Sequence, residues 1–440
     1  MRCRPLFLNR GMLVVIILTA CATAFGQNSN SIARQLDELR QQNQALESQL
    51  QQQQRMIDQL TRQFSNLQKT NQQQQSDYQQ LKASVGEPEP PKKSPLSIGN
   101  VIISGEGGVG FFASQSDGPN PHADLKVDEA RLFLDAPLLD DVFFYGEVDL
   151  QTREEEDEGV YLGELYLEFE NLSKYWGADD LVNFRIGQMY TPFGEEYQYR
   201  FAFDNPLISH SLSDVWALEG GAEFYGSWKK WSYALAVQSG DLDLLHDQTD
   251  DKTIVGRIGF DPTAHLHLSL SGERTGTLNA VTDPVSGTWF GGSFFMPIGS
   301  SNTTTYNVNM GEADARYSWK GGHAAAAAGY AGYSDNDPRG NNHRDIYYYY
   351  LEGMQNFWRK LYGAARFSQI LTPKGYPIMG DSAEFGIPTD ETWRLSLGLG
   401  YAFNSHLTLK TEYTFEHAFL HDGGERDHVN LFALEAAFKF

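Results

Sequence analysis

The sequence predicts an all-β protein, an antiparallel transmembrane β-barrel of about sixteen strands preceded by an α-helical coiled coil. Three observations carry this. From about residue 97 the chain alternates apolar and polar residues with period two. The segments so marked are joined by short turns and longer loops in alternation, the two unequal ends of an outer-membrane barrel. In front of them, residues 30–83 carry a heptad that runs without a phase break.

The chain opens as an export signal over residues 1–24. Arg2, Arg4 and Arg10 supply the positive region, Met12 to Ala20 the apolar core, and Ala22-Thr23-Ala24 a small-residue cleavage site. Leu18-Thr19-Ala20-Cys21 also fits a lipoprotein cleavage box, in which Cys21 would be acylated and become the first residue. Ordinary cleavage after Ala24 accounts for the same stretch. The only cysteines are Cys3 and Cys21, which leaves the folded part without a disulfide or a thiolate metal site.

In the coiled coil, Leu36, Leu50, Ile57, Phe64 and Tyr78 occupy a positions, while Ile32, Leu39, Leu46, Gln53, Leu60, Leu67, Gln74 and Leu81 occupy d positions. This stripe is too narrow for a globular helix and suits self-association over about 75 Å. Asn43 and Asn71 at a positions would fix register and, in a parallel coil, favour a dimer, which leaves the copy number open between dimer and trimer. Residues 84–96 contain Pro88, Pro90, Pro91 and Pro95 and form a stiff linker that ends the helix. The barrel is assigned to residues 97–440.

Val142–Leu150 shows the alternation most clearly: Val142, Phe144, Gly146, Val148 and Leu150 lie on one face, and Phe143, Tyr145, Glu147 and Asp149 on the other. The last strand puts Phe432, Leu434, Ala436, Phe438 and Phe440 on one face, an aromatic ending typical of outer-membrane barrels. Short turns are expected at 139–141, 229–230, 261–263, 320–322, 359–360 and 404–405. Longer loops are expected at 152–158, 190–217, 241–251, 276–303, 334–344, 373–390 and 420–428. An even strand number puts both barrel ends of the chain on the short-turn side, hence the coiled coil in the periplasm and the barrel in the bacterial outer membrane, against lipid.

Residues 97–440 hold 23 basic against 50 acidic residues, a balance that excludes nucleic acid as a partner. No Gly-x-Ser-x-Gly or His-Glu-x-x-His motif occurs, and no cysteine lies outside the export signal, so catalysis is not expected and no cofactor is implied. His265 and His267 could share a strand face as a metal pair, but no third ligand stands at a suitable spacing. A solvated pair is the expectation. Glu154–Glu158 reads as a solvated loop tip.

Two stretches, Val127–Leu150 and Asn183–Glu196, resemble the phosphate-selective porin O and P family, the second through Gly187-Gln188 and Pro192-Phe193-Gly194-Glu195. The resemblance implies a trimeric, sixteen-stranded outer-membrane channel for small hydrophilic solutes, with loops folded into the lumen. It also implies phosphate selectivity through a ladder of lumen arginines and a lysine cluster. The residues themselves depart from that pattern. Arg131, Arg185, Arg257, Arg316, Arg366 and Arg394 fall on the polar face, but so do Glu147, Asp149, Glu129, Glu164, Glu223, Glu352, Glu412 and Glu416. Carboxylate rings favour cations.

Loop 190–217 is the candidate constriction. It carries Glu195, Glu196, Tyr197, Arg200, Asp204, His210 and Asp214, charges of both signs that could oppose one another across a narrow path. The expected function is passive diffusion of small solutes or ions. An alternative makes the barrel an anchor and the coiled coil a tether toward the cell wall.

Overall fold

The computed structural model describes residues 101–151, 160–240, 251–298, 302–376 and 389–440. The signal peptide, Cys21, the coiled coil with its tether role, the linker and the Glu154–Glu158 run lie outside them.

The described residues form sixteen long strands: β1 Ile102–Ser114, β2 Asp124–Leu139, β3 Val142–Gln151, β4 Tyr161–Phe169, β5 Asn183–Tyr190, β6 Val215–Trp228, β7 Trp231–Gln238, β8 Thr253–Thr263, β9 Leu266–Arg274, β10 Thr305–Trp319, β11 Gly322–Asp335, β12 Arg344–Asn356, β13 Leu361–Tyr376, β14 Thr389–Ala402, β15 Leu407–Leu420 and β16 Leu431–Lys439. Each pairs antiparallel with the strand before it, and β16 pairs antiparallel with β1. The closing register runs from Glu106 opposite Lys439 to Ser114 opposite Leu431, so among the described residues each of the sixteen long strands has a partner on both sides. The strands are unequal, from 8 residues in β5 and β7 to 16 in β2 and β13.

The side-chain pattern explains why these segments become walls. In β14, Leu397 and Leu399 are 44% and 50% exposed on the outer face, whereas Thr392 and Ser396 are each 1% exposed on the inner one. Outward aromatic residues gather where the strands meet the short turns, among them Trp228 and Trp231 around residues 229–230, Trp319 before 320–321, Trp358, and Phe403. Such a girdle fits a membrane interface, where an amphipathic ring sits between lipid and water.

Several turns differ from expectation. Residues 261–263 still belong to β8, with an irregularity between Phe260 and Thr263, and the hairpin turn falls at Ala264–His265. His265 therefore leaves the inner wall and packs edge-on against Tyr317, while His267 faces inward, so the pair shares no face. The short-turn end also contains one long connection, residues 170–182, which holds a 3-10 turn at Leu172–Trp176. Tyr190 closes β5 and Val215–Ala217 open β6, which narrows the loop expected at 190–217 to residues 191–214.

Inside, an apolar core lies beside β6–β13 near the long loops. Residues 275–298 fold inward, and Thr288–Phe290 add to β6 opposite Val215–Ala217. Phe290 and Phe295 stack 5.6 Å apart and pack with Tyr306, Tyr333, Ile346 and Tyr348. In β10 the polarity inverts along its length: Asn307 and Asn309 share the outer face with Ala313, Ala315 and Tyr317, while Tyr306, Val308 and Met310 point in. The strand thus rises out of the apolar belt and its upper part behaves as a soluble sheet packed on a core.

Gly187 tests the wall. Its φ is +142°, and a Cβ there would stand 2.2 Å from the Leu165 carbonyl oxygen on the paired strand. Gly187→Ala should disrupt β4–β5 pairing, read as loss of the heat-resistant, compact band on unboiled gels.

Candidate functional site

The segment 191–214 crosses the interior of the barrel. Its entry is built by Thr191-Pro192-Phe193-Gly194-Glu195. The Thr191 amide donates to the Ala217 carbonyl and its hydroxyl to Gln238 at 2.9 Å, which ties the segment to β6 and β7. Phe193 is fully buried in the apolar core. At Gly194 the backbone turns inward with φ +65°, its amide donating to Ser271 Oγ at 3.0 Å and its carbonyl accepting from Arg257 at 2.7 Å. A side chain there would meet Glu312 at 2.5 Å. The motif therefore has a mechanical meaning: an apolar anchor followed by a residue without a Cβ where the chain must pass close to the wall.

Beyond this hinge the segment binds the wall at several places. Glu195 lies 3.2 Å from His267 Nε2 and 3.5 Å from Arg257 Nε. Arg316 stacks 4.3 Å over the Tyr199 ring, and Arg131 sits 3.6 Å over Phe201. The Ala202 amide donates to Glu129 on β2. On the opposite wall, Lys410 donates to the Ala202 and Leu207 carbonyls, and Arg366 donates to Asn205 and, at 2.7 Å, to the Ser209 carbonyl. Glu412 accepts from the Ile208 and Ser209 amides and the Ser209 hydroxyl. Arg394 reaches the His210 carbonyl at 3.3 Å, and the Leu212 amide donates to Ser368. The segment is thus fastened to β2, to β8–β10 and to β13–β15.

Its own charges are used unequally. Arg200 and Asp214 pair at 3.0 Å, with His210 3.3 Å from the same carboxylate oxygen, and Arg200 also lies 4.6 Å from the Trp216 ring. Burial opposes ionisation of Asp214, but the Arg200 guanidinium and His210 outweigh it and hold the carboxyl below its usual range. Glu196 turns back into the loop and accepts from the Ser211 amide and hydroxyl. Burial, then the Asp214 charge, pushes its carboxyl up to about 7. Tyr197 receives a hydrogen bond from Arg257 at 3.1 Å, and Asp204 stands 3.6 Å from Lys439.

The wall arginines all lie on the inner face, most with a carboxylate partner. Arg131 is 3.1 Å from Glu147 and 3.7 Å from Asp149. Arg185 grips Glu223 through two nitrogens at 2.9–3.1 Å. Arg366 pairs with Glu352 and Arg394 with Glu416. Arg316 has no carboxylate partner among the described residues and rests on Tyr199 instead. Sequence reasoning did not single out Lys410, Glu129 or Ser396 as loop anchors. Glu412 and Glu129 stood among many polar-face acids, and their partners lie about 70 to 200 residues away in the chain.

No family model matches the chain, and no curated protein sequence matches it. Solved structures do. An in-vitro folded OmpT, an outer membrane protein of Vibrio cholerae, superposes with a TM-score of 0.53 at 12% identity over 80% of this chain and 100% of that one. The outer membrane channel DcaP of Acinetobacter baumannii gives 0.52 at 13% identity over 78% and 97%. An anion-selective porin from Comamonas acidovorans gives 0.50 at 11% identity over 77% and 98%. At these identities the likeness establishes the barrel fold.

Two outcomes are expected from this geometry. Glu412→Ala removes the acceptor that holds residues 208–209, at about 1.5–3 kcal/mol per charged hydrogen bond, and should speed hydrogen exchange of the Ile208 and Ser209 amides in the folded protein. Glu196 binds its proton more tightly folded than unfolded. Its contribution is therefore present below about pH 4.5 and lost as pH rises through about 7. The melting temperature of Glu196→Gln should match the wild type at pH 4 and exceed it at pH 8.

Proposed function

We propose that this chain is an outer-membrane channel for passive diffusion of small hydrophilic solutes, with segment 191–214 as its constriction. The observation that carries the reading is a closed sixteen-stranded barrel, apolar outside, whose interior is crossed by a charged segment fastened to opposite walls. A membrane anchor would need the outer face only. Glu195, Tyr197, Asp204 and His210 lie along the segment, with the buried Arg200, Glu196 and Asp214 holding its shape. The described barrel neighbours include an outer membrane channel and a porin, which supports the same role. A further OmpT structure is described as a trimer form, and we extend homo-oligomerisation to this chain on that ground.

Phosphate is not the favoured solute. A guanidinium already held by a carboxylate offers an anion little net field, and Arg131, Arg185, Arg257, Arg366 and Arg394 are so held. The kinship with the phosphate-selective family is therefore proposed for architecture, with selectivity tilted toward cations.

Planar bilayers test both parts. Purified protein should give discrete current steps, a reversal potential in a KCl gradient on the cation side, and no block by phosphate. Glu195→Lys should move that reversal potential toward chloride. Absence of current steps would remove the channel reading, and phosphate block would restore anion selectivity.

A further inference from the structure

Between the crossing segment and the short-turn end, the wall of β2–β8 encloses a cavity of about 450 Å³. Its position follows from the lining: Tyr225 and Gly226 run down to the turn at 229–230, and Ser232 and Tyr233 run up from it. Three carboxylates and two guanidiniums line it, those of Glu147, Glu164, Glu223, Arg185 and Arg257. Four of the five have charged partners. Glu223 is bound by Arg185, Glu147 by Arg131, and Arg257 stands beside Glu195. Glu164 is the exception. It accepts one hydrogen bond, from the Tyr190 amide at 3.0 Å, and no cation lies within ion-pair distance of it among the described residues.

The surroundings show what would complete it. Twice in this region the wall sets a guanidinium against aromatic rings and a carboxylate together. Arg185 lies 5.3 Å from the centroids of both Tyr166 and Tyr225 while gripping Glu223. Arg131 lies 3.6 Å over Phe201 while bonded to Glu147. Glu164 repeats the carboxylate and the rings, with Tyr145 and Tyr190 in the same cavity, but has no guanidinium of its own. The Tyr145 hydroxyl has no hydrogen-bond partner among the described residues, so a polar acceptor is also free. Phe133 and Phe201 supply apolar wall.

We infer that this cavity binds a monovalent organic cation with a planar amidinium or guanidinium head on a small apolar body, its head on Glu164. An anion would meet a carboxylate that Arg185, already bound to Glu223, and Arg131, bound to Glu147, act on only from beyond ion-pair distance. A neutral solute would bury that carboxylate without pairing it, the costly case in a confined site. A planar cation gains a charge-assisted hydrogen bond and ring contact together. The subsite rests on the channel reading, because a ligand reaches it through the lumen.

Calorimetry on the full-length protein in detergent tests it, with benzamidine as the probe and benzoate as its isosteric anion, alongside benzamidine block of single-channel current. Benzamidine should bind and benzoate should not. Glu164→Gln should weaken benzamidine about tenfold or more, and Glu164→Asp should recover part of the loss. Equal binding of benzoate, or benzamidine binding unchanged in Glu164→Gln, would overturn the subsite and leave a conducting channel intact. Glu164-dependent binding to a protein that carries no current would overturn the channel reading and leave the subsite standing. The benzamidine and benzoate comparison on wild type needs no variant to fold.

Discussion

Everything in this molecule depends on the pairing of β16 with β1. Lipid offers no hydrogen bonds, so a sheet placed in it must satisfy every amide and carbonyl within itself, and only closure removes the last open edge. Gly105 and Phe440 exchange backbone hydrogen bonds at the seam, at 3.1 and 2.9 Å. Once the sheet is closed, period-two alternation stops being a preference and becomes a partition between lipid and lumen. The inner side chains then have nowhere to go but toward one another.

That confinement explains the charge architecture. A chain with so many carboxylates would repel itself if they were gathered inside unpaired. Instead the inner face sets acids opposite bases across adjacent strands, as at Arg185–Glu223, Arg366–Glu352 and Arg394–Glu416. The residual polar capacity holds backbone of the crossing segment, which has no sheet partner of its own. Glu412, Lys410 and Arg366 take up amides and carbonyls that a loop in water would leave to solvent. Pairing and loop anchoring are one network, but it does not take in every inner acid: Glu273 is bound by the Thr288 hydroxyl, Asp314 by Ser269, and Glu164 by a backbone amide.

The strand number and the inward position of the six arginines were legible because the period of a strand is two and does not drift. Other features escaped for definable reasons. An irregularity at Gly108/Val109 shifts the register, so Asp128 and Glu129 are both buried although they are neighbours in sequence, which simple parity forbids. The inward fold of residues 275–298 escapes a rule that assigns polar side chains to every lumen position. The signal was present in Tyr306-Asn307-Val308-Asn309-Met310, where the apolar set sits on the inner face. The anchors of residues 202–212 could not be read at all, because nothing local links Ser209 to Ser396 or Leu212 to Ser368.

The unequal strands have a consequence for the surrounding bilayer. At about 3.3 Å per residue and a tilt near 40°, the 8 residues of β5 and β7 rise only about 20 Å, less than the roughly 25 Å apolar band of typical outer-membrane barrels. The flank around β10–β13, with strands of 13 to 16 residues, overshoots that band and stands in water. Lipid on the low flank must thin to meet the wall, while lipid on the high flank need not. The barrel therefore carries a built-in gradient of bilayer thickness around its circumference, and neighbouring membrane proteins will feel one side of it differently from the other.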